Sequence, residues 1–431
     1  MSPFKTIRGM RDFLPEEAAM LRFIESKARE VAKLYGYEEI ITPVVESYEL
    51  LAAKAGEEVR SRMYVFKDLG ERMVALRPEF TASVARLAAT TLRNKPKPLR
   101  LYCIGSLYRY DEPQRGRFRE FWQSNFELMG SEKPEADAEI ILLTSRLMEA
   151  IGLKGYSFKI NNIGIIRGIL DKEKLSEEIQ NRAFQLMDKR MYEDALGIIK
   201  NAGISDGGLK TLKQLLEIKG NSVQNVIGEM EKLLENNNEA LKPLQKLEKI
   251  LKIVLSAQNL NITIDAGFAR GLEYYTGMIF EVYVPELDIA IAGGGRYDRL
   301  VEAFGGEPTP AVGVAHGLDR MMLALKEQGA TLDFREECKV AVVPVSEDLT
   351  IEAVKISEGL RSEGIPSEME VGGRKISKSL EDADRRNTAY VVIVGEKELK
   401  EEAVVLRDMR KKEQKVVKIN ELAQKIKASG I

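Results

Sequence analysis

The sequence predicts an α+β domain built on an antiparallel sheet and carrying a helical insertion, followed by a smaller α/β domain. Three observations predict it. A chain of 431 residues exceeds what one ordinary core accommodates, so two or three domains are expected. Short runs rich in β-branched and aromatic residues recur before Gly130 and again after Asn259. Between about Leu170 and Asn259 the chain turns instead to long charged segments with helical spacing.

Taken in order, Met20, Phe23, Ile24, Val31 and Leu34 fall at the mixed three-and-four spacing of an amphipathic helix from Glu16 to Tyr35, with Pro15 suited to its first turn. Strands are expected in EEIITPVV ending at Val45, MYVFKD from Met63, MVALRPE from Met73, LRLYCIGSLYRY from Leu99 and FREFWQSNFELMG to Gly130. After the helical insertion, NITIDAGF, MIFEVYVP and DIAIAGGG return to strand character, and a helix is expected from about Ala315 to Glu327. The polar stretch ATLDFREE around Arg335 marks a boundary. Beyond it, strands alternate with helices: KVAVVPV, a helix to about Glu363, a short strand near Pro366, a helix through Lys378 and Leu380, then AYVVIVG, EEAVVLRD and KVVKI. That alternation implies a mixed sheet.

Composition narrows the function. With 44% hydrophobic and 31% charged residues the chain matches folded globular proteins. The 65 basic residues nearly cancel the 67 acidic ones, so any nucleic-acid contact must be local. Two distant cysteines, Cys103 and Cys338, form no disulfide or metal framework and suit a reducing compartment. Charges at Lys5, Arg8, Arg11 and Asp12 interrupt any apolar leader, and no apolar run of about 20 residues follows. The single histidine, His316, rules out a multi-histidine zinc site, so no metal bound by protein histidine or cysteine is expected. Its apolar setting suits packing rather than catalysis.

The segment YRYDEPQRGRFREFWQSNFELMG, Tyr108 to Gly130, sets four arginines (Arg109, Arg115, Arg117, Arg119) around Pro113 and Gly116. Planar guanidinium donors suit phosphate oxygens, although basic hairpin tips are commonly just solvated. The stretch resembles motif 2 of class II aminoacyl-tRNA synthetases, in the archaeal and eukaryotic style of histidyl-tRNA synthetases. RGLEYYTGMIFE (Arg270 to Glu281) and AGGGRYDRLVEAFGG (Ala292 to Gly306) resemble the two signature peptides of that family. AVGVAHGLDRMMLAL resembles motif 3, EEIITPVVES the dimer-forming motif 1, and ALRPEFTASVAR the histidine-binding strand and turn. Where bacterial members carry an arginine-histidine-glutamate-arginine run, this chain has Arg109, Tyr110, Asp111 and Glu112, so bacterial acceptor-end contacts do not transfer.

The resemblance implies a class II catalytic domain over residues 1–330, interrupted by an insertion at 170–259, and an anticodon-binding domain over 336–431. It implies catalytic roles for Arg109, Arg270 and Arg320, with ATP held by Arg109, Phe121 and Arg320. Histidine would be bound by Glu79, Thr81, Gln123, Glu127, Arg270, Tyr274, Tyr275 and Tyr297, and the tRNA acceptor would be touched by Arg115 and Arg117. Taken from the residues alone, these tyrosines serve equally as core or strand-pairing groups, and Arg320 as a helix-surface cation. The Gly293–Gly295 run, weak as a phosphate motif, suits close approach of backbone to substrate. ATP and Mg2+ are the implied cofactors; L-histidine, tRNA(His) and a second copy of the chain are the implied partners, in the cytoplasm, with no membrane and no DNA. The alternative is a non-catalytic paralogue that binds histidine as a regulatory signal. Such paralogues lack the anticodon-binding section and degrade the ATP-contacting arginines, whereas both are present here.

Overall fold

A computed structural model describes residues 4–330 and 340–428. The expected boundary at Arg335 and the cysteine at position 338 lie outside the described residues. Two compact units result, Met1–Leu332 and Asp333–Ile431.

The first unit is built on strands β1 (Glu38–Glu39), β2 (Val45–Ser47), β3 (Val65–Lys67), β4 (Met73–Leu76), β5 (Leu99–Tyr108), β6 (Glu120–Met129), β7 (Ser157–Asn162), β8 (Lys219–Gly220), β9 (Ile262–Asp265), β10 (Met278–Tyr283), β11 (Ala292–Arg296) and β12 (Ala311–Gly317). Nine form one sheet in the order β1-β5-β6-β12-β11-β10-β7-β9-β8, and β2-β4-β3 form a small second sheet. Pairing in the large sheet is antiparallel except at β1–β5 and β7–β9. One face is covered by the helices Pro15–Leu34 and Pro134–Ala150 and by the apolar side chains of the strands. There Phe126, unexposed, stacks on Tyr102 at 5.5 Å and meets Tyr37 edge-on. Each such burial contributes roughly 1.5–3 kcal/mol. Pro15 occupies the first turn of its helix, and Glu16 and Glu17 there face the positive end of the helix dipole.

His316 also lies on this face, unexposed, with Nδ1 3.2 Å from Ser124 Oγ and Nε2 3.1 Å from Thr144 Oγ1. Burial holds its ring neutral, with a pKa pushed down to about 3. It is a packing residue.

The helical stretch begins at Ile163, earlier than the charge pattern indicated, because Ile163–Lys172 buries its isoleucines and is capped by Asn162, whose Oδ1 accepts from Gly164 N–H at 3.0 Å. It ends at Ala257 and includes β8, which pairs with β9. Motif 3 needs a correction: its helix starts at Leu318, and Ala315–Gly317 complete β12. The alternation of small residues in AVGVAHG is that of a strand between two strands, which periodicity alone did not separate from a helix start.

In the second unit, β13 (Val340–Pro344), β14 (Ser367–Met369), β15 (Tyr390–Val394), β16 (Ala403–Asp408) and β17 (Glu413–Lys418) form a mixed sheet in the order β14-β13-β15-β16-β17. Helices Thr350–Ser362 and Ile419–Ala428 contribute Ile356, Leu360, Leu422 and Ile426 to its core.

Candidate active site

The uncovered face of the large sheet is floored by small residues. Gln123, Asn125 and Glu127 alternate onto it from β6 and stand opposite Gly317, Ala315 and Gly313 of β12. Gly313 and Ala315 in turn stand opposite Gly295 and Gly293 of β11, and Gly293 opposite Glu281 of β10. The missing side chains make room for others: a Cβ on Gly313 would overlap the Glu127 carboxylate, and one on Gly293 the Arg270 guanidinium. The glycine run therefore shapes the floor on which these two functional groups rest.

One cavity over this floor is lined by Glu79, Thr81, Arg109, Arg117, Phe121, Gln123, Glu127, Arg270, Tyr274, Tyr275, Tyr297 and Arg320. Residues separated by more than 200 positions are brought together, and of the residues given catalytic, binding or acceptor-contact roles in the sequence only Arg115 is not on the wall. It is exposed and ion-paired with Glu327 at the end of the motif 3 helix.

The cavity has two chemically distinct ends. At one, Glu127 is buried and holds both oxygens in hydrogen bonds, one from Thr81 Oγ1 at 2.8 Å and the other from the Tyr297 hydroxyl. Burial pushes its carboxyl up to about 7; the Tyr297 and Thr81 donors pull against this, while the Glu79 charge adds to it. Glu79 accepts from Tyr274 OH at 3.0 Å and is likewise raised, by burial first, with Arg109 and Arg270 opposing. Tyr274 packs against Tyr275 and Tyr297 at 5.0 and 5.7 Å. Thr81, assigned to the substrate amino group by resemblance, is thus also a support for Glu127.

At the other end guanidinium groups converge. Arg109 is held by the Pro78 carbonyl at 2.9 Å and lies 5.3 Å from the Phe121 ring. Arg320 donates to the carbonyls of Gly116 at 3.2 Å and Ala290 at 2.6 Å. Its pKa is lowered to about 10, by burial first and then by Arg117 and Arg109. Such mutual repulsion suits a polyanionic ligand. Among the described residues, only Arg270 of Arg109, Arg117, Arg270 and Arg320 is ion-paired with a carboxylate, Glu281 at 3.1 Å. The fourth arginine of the hairpin, Arg119, is structural: it is buried, stacks 3.7 Å from the Tyr110 ring and donates to the Asp111 carbonyl.

Contacts not anticipated from sequence complete the site. Asp319 accepts from Trp122 N–H at 2.6 Å and pairs with Arg11, tying the N-terminal segment to motif 2. Asp188, at the end of the insertion helix Glu177–Asp188, accepts from Gly271 N–H at 3.0 Å, beside Arg270. Asn125 lies between Gln123 and Glu127 at strand spacing, a signal that period-two reading could have used.

An antiparallel sheet presenting arginines and carboxylates over a small-residue floor, with a helical insertion and a separate α/β unit after it, is the architecture of class II aminoacyl-tRNA synthetases. The histidyl-tRNA synthetase family profile matches residues 9–321, and the anticodon binding domain profile matches 339–429. The chain is 44% identical to the histidine–tRNA ligase of Methanocaldococcus jannaschii, covering 97% of this chain and 98% of that one. It is 39% identical to the histidine–tRNA ligase of Saccharolobus solfataricus, covering 99% of each. Among solved structures, histidyl-tRNA synthetase from a Nostoc species aligns over 100% of both chains with a TM-score of 0.80 and 26% identity. An ATP phosphoribosyltransferase regulatory subunit/histidyl-tRNA synthetase from Bacillus halodurans aligns over 91% of this chain and 99% of that one, with a TM-score of 0.77 and 25% identity. This chain belongs to the histidyl-tRNA synthetase family.

Proposed function

We propose that this protein activates L-histidine with ATP to histidyl-adenylate and transfers the histidine to the 3′ end of tRNA(His). The observation that carries this reading is the two-ended cleft: a buried pocket of carboxylates and tyrosines next to clustered arginines short of carboxylate partners. Glu127, Tyr275 and Tyr297 hold the imidazole, Glu79 and Thr81 the ammonium, and Gln123 and Arg270 the carboxylate. Phe121 lies against adenine, and Arg320 takes the terminal phosphate. As the histidine carboxylate attacks the α-phosphorus, negative charge grows on its oxygens, and Arg109 and Arg270 stabilise that charge from fixed positions. Pyrophosphate leaves; the terminal ribose hydroxyl of tRNA then attacks the activated carbonyl and AMP departs.

Mg2+ accompanies the ATP phosphates in this reading. No cluster of three histidine, cysteine or carboxylate ligands occurs among the described residues, which fits an ion that draws most of its ligands from phosphate and water. Glu281 lines the cleft, but its two oxygens accept from Arg270 and Tyr283, so the ion would be held by phosphate and water and would neutralise phosphate charge. The regulatory-paralogue alternative is disfavoured by the anticodon binding domain match and by the retained Arg109, Arg270 and Arg320.

We assign catalysis to residues 1–330, with the insertion at 170–259, and anticodon reading to 336–431. A chain ending at Leu332 should form histidyl-adenylate at the full-length rate but charge tRNA poorly, mostly through weaker tRNA binding. Undiminished charging with unchanged anticodon dependence would remove the second unit as the anticodon reader.

The active form is a two-fold dimer. Its support is an apolar surface on and beside the small sheet, where Ile41, Val44, Val45, Val65, Phe66, Leu69 and Met73 are all exposed, Ile41 by 91%. Light scattering should give twice 48.4 kDa; an active monomer would contradict this. No helix among the described residues is long and apolar enough to cross a membrane. The tRNA substrate and the unpaired, buried Cys103 support a cytoplasmic location.

A further inference from the structure

Strand β12 ends at Gly317, opposite Gln123, so the next position along β6, Trp122, has no strand to pair with on that side. A side chain takes the strand's place. Asp319, in the first turn of the motif 3 helix, accepts from Trp122 N–H at 2.6 Å through one oxygen and pairs with Arg11 through the other. Asp319 is 6% exposed and lines the cleft next to Arg320. A nearly buried carboxylate on that wall repels a triphosphate unless a cation offsets it, and Arg11 supplies the cation.

Arg11 is itself held in place. Its guanidinium lies 3.8 Å from the centre of the Phe118 ring and 4.4 Å from that of Phe13, while Arg119 N–H donates to the Gly9 carbonyl at 2.9 Å and fixes the segment against the motif 2 hairpin. Phe118 is also on the cleft wall. The ion pair and the stack thus join motif 2 to motif 3 at the phosphate end, whereas the other end is held by its own bonds among Glu127, Thr81 and Tyr297. We propose that Arg11 is a positioning residue for ATP: it offsets the Asp319 charge and, through Asp319 and Phe118, holds Phe121 and Arg320 where adenine and the terminal phosphate bind. It touches no reacting atom. This rests on the assignment of Phe121 and Arg320 to ATP above.

In histidine-dependent ATP–pyrophosphate exchange, Arg11→Ala should raise the KM for ATP about tenfold and leave the KM for histidine within about twofold, the scale of one charged hydrogen bond lost beside a ligand. Arg11→Lys keeps the charge without the flat stack, so it should fall between wild type and Arg11→Ala. In an Asp319→Asn background, which keeps an acceptor for Trp122 N–H but has no charge to offset, Arg11→Ala should cost no more than about twofold in the KM for ATP. Equal losses for both substrates, an unchanged KM for ATP, a lysine variant no better than alanine, or the same tenfold cost in the asparagine background would each overturn the assignment. Thermal melting within a few degrees of wild type shows that folded proteins are compared; if Arg11→Ala melts far lower, the lysine variant and the asparagine background decide. Calorimetric titration with ATP needs no turnover. An affinity about tenfold weaker in Arg11→Ala upholds the role of Arg11 even where histidine fails to support exchange, a failure that would overturn the proposed function instead, and an equal affinity overturns the role.

Discussion

Arg270→Ala should fold and bind histidine yet form histidyl-adenylate about 10³-fold more slowly, since a cation at a transferring phosphoryl group contributes on that scale or above. The side chain is suited to the task. Burial works against its charge, but Tyr275, Glu281 and Asp188 outweigh burial and raise its pKa, so it stays cationic through any working pH. It is held from two sides, by the 3.1 Å contact with Glu281 and by the Tyr275 ring 5.7 Å away. A positioned charge needs no reorganisation as the α-phosphate becomes more negative. Removing it leaves Glu281 without its cation in the same cleft, which adds repulsion toward the triphosphate. Single-turnover kinetics at saturating histidine and ATP separate chemistry from binding. Near-normal adenylation would strike Arg270 from the catalytic residues.

Glu127→Ala should cut kcat/KM for histidine by about 10² or more while changing the KM for ATP less than about threefold. The variant removes the acceptor for a ring N–H and leaves the Thr81 and Tyr297 hydroxyls, which both bond it, without their partner. Equal losses for both substrates would indicate a folding defect instead. The pH dependence supplies a second arm. With its carboxyl raised to about 7, Glu127 in the empty protein is protonated below that pH and ionised above it. The ring-binding carboxylate therefore forms as pH rises, and the KM for histidine should fall between about pH 6 and 8. Free histidine titrates in the same range, near about 6.5, so the informative quantity is the difference from Glu127→Gln, which keeps only the ligand's own ionisation. Stability runs the other way: a raised carboxyl stabilises the fold at low pH, and that contribution is lost as pH rises through about 7. The melting temperature of the empty wild type should therefore decline relative to Glu127→Gln from about pH 4.5 to about 7 and run parallel to it above that.

That these residues line one cleft was legible before any coordinates through the resemblance of dense local motifs to a known family, not from the residues taken singly. Arg109, Phe121, Gln123 and Glu127 fall within one hairpin, and Arg270, Tyr274 and Tyr275 within one short segment. Strand content was legible from β-branched and aromatic runs: β5 alternates buried with half-buried residues along much of its length, while β6 is buried continuously from Ser124 to Met129. What escaped was set by tertiary pairing. The β12 strand reads as a helix start because alanines and glycines carry no strong period, and only its place between β6 and β11 fixes it as extended. β8 is two residues long and exists because β9 offers it an edge. The terminal helix Ile419–Ala428 lies in charged sequence, and its signal is two core residues, Leu422 and Ile426. Asp188 and Asp319 reach the site from elements remote in sequence, so their proximity to Arg270 and Trp122 could not be read from spacing.

The most direct measurement is histidine-dependent ATP–pyrophosphate exchange, run with each of the twenty amino acids in turn. A cleft that pairs a buried imidazole-binding end with an arginine-rich phosphate end should support exchange with histidine and with no other amino acid. Absence of exchange with histidine, or comparable exchange with a second amino acid, would contradict the assignment of this cleft.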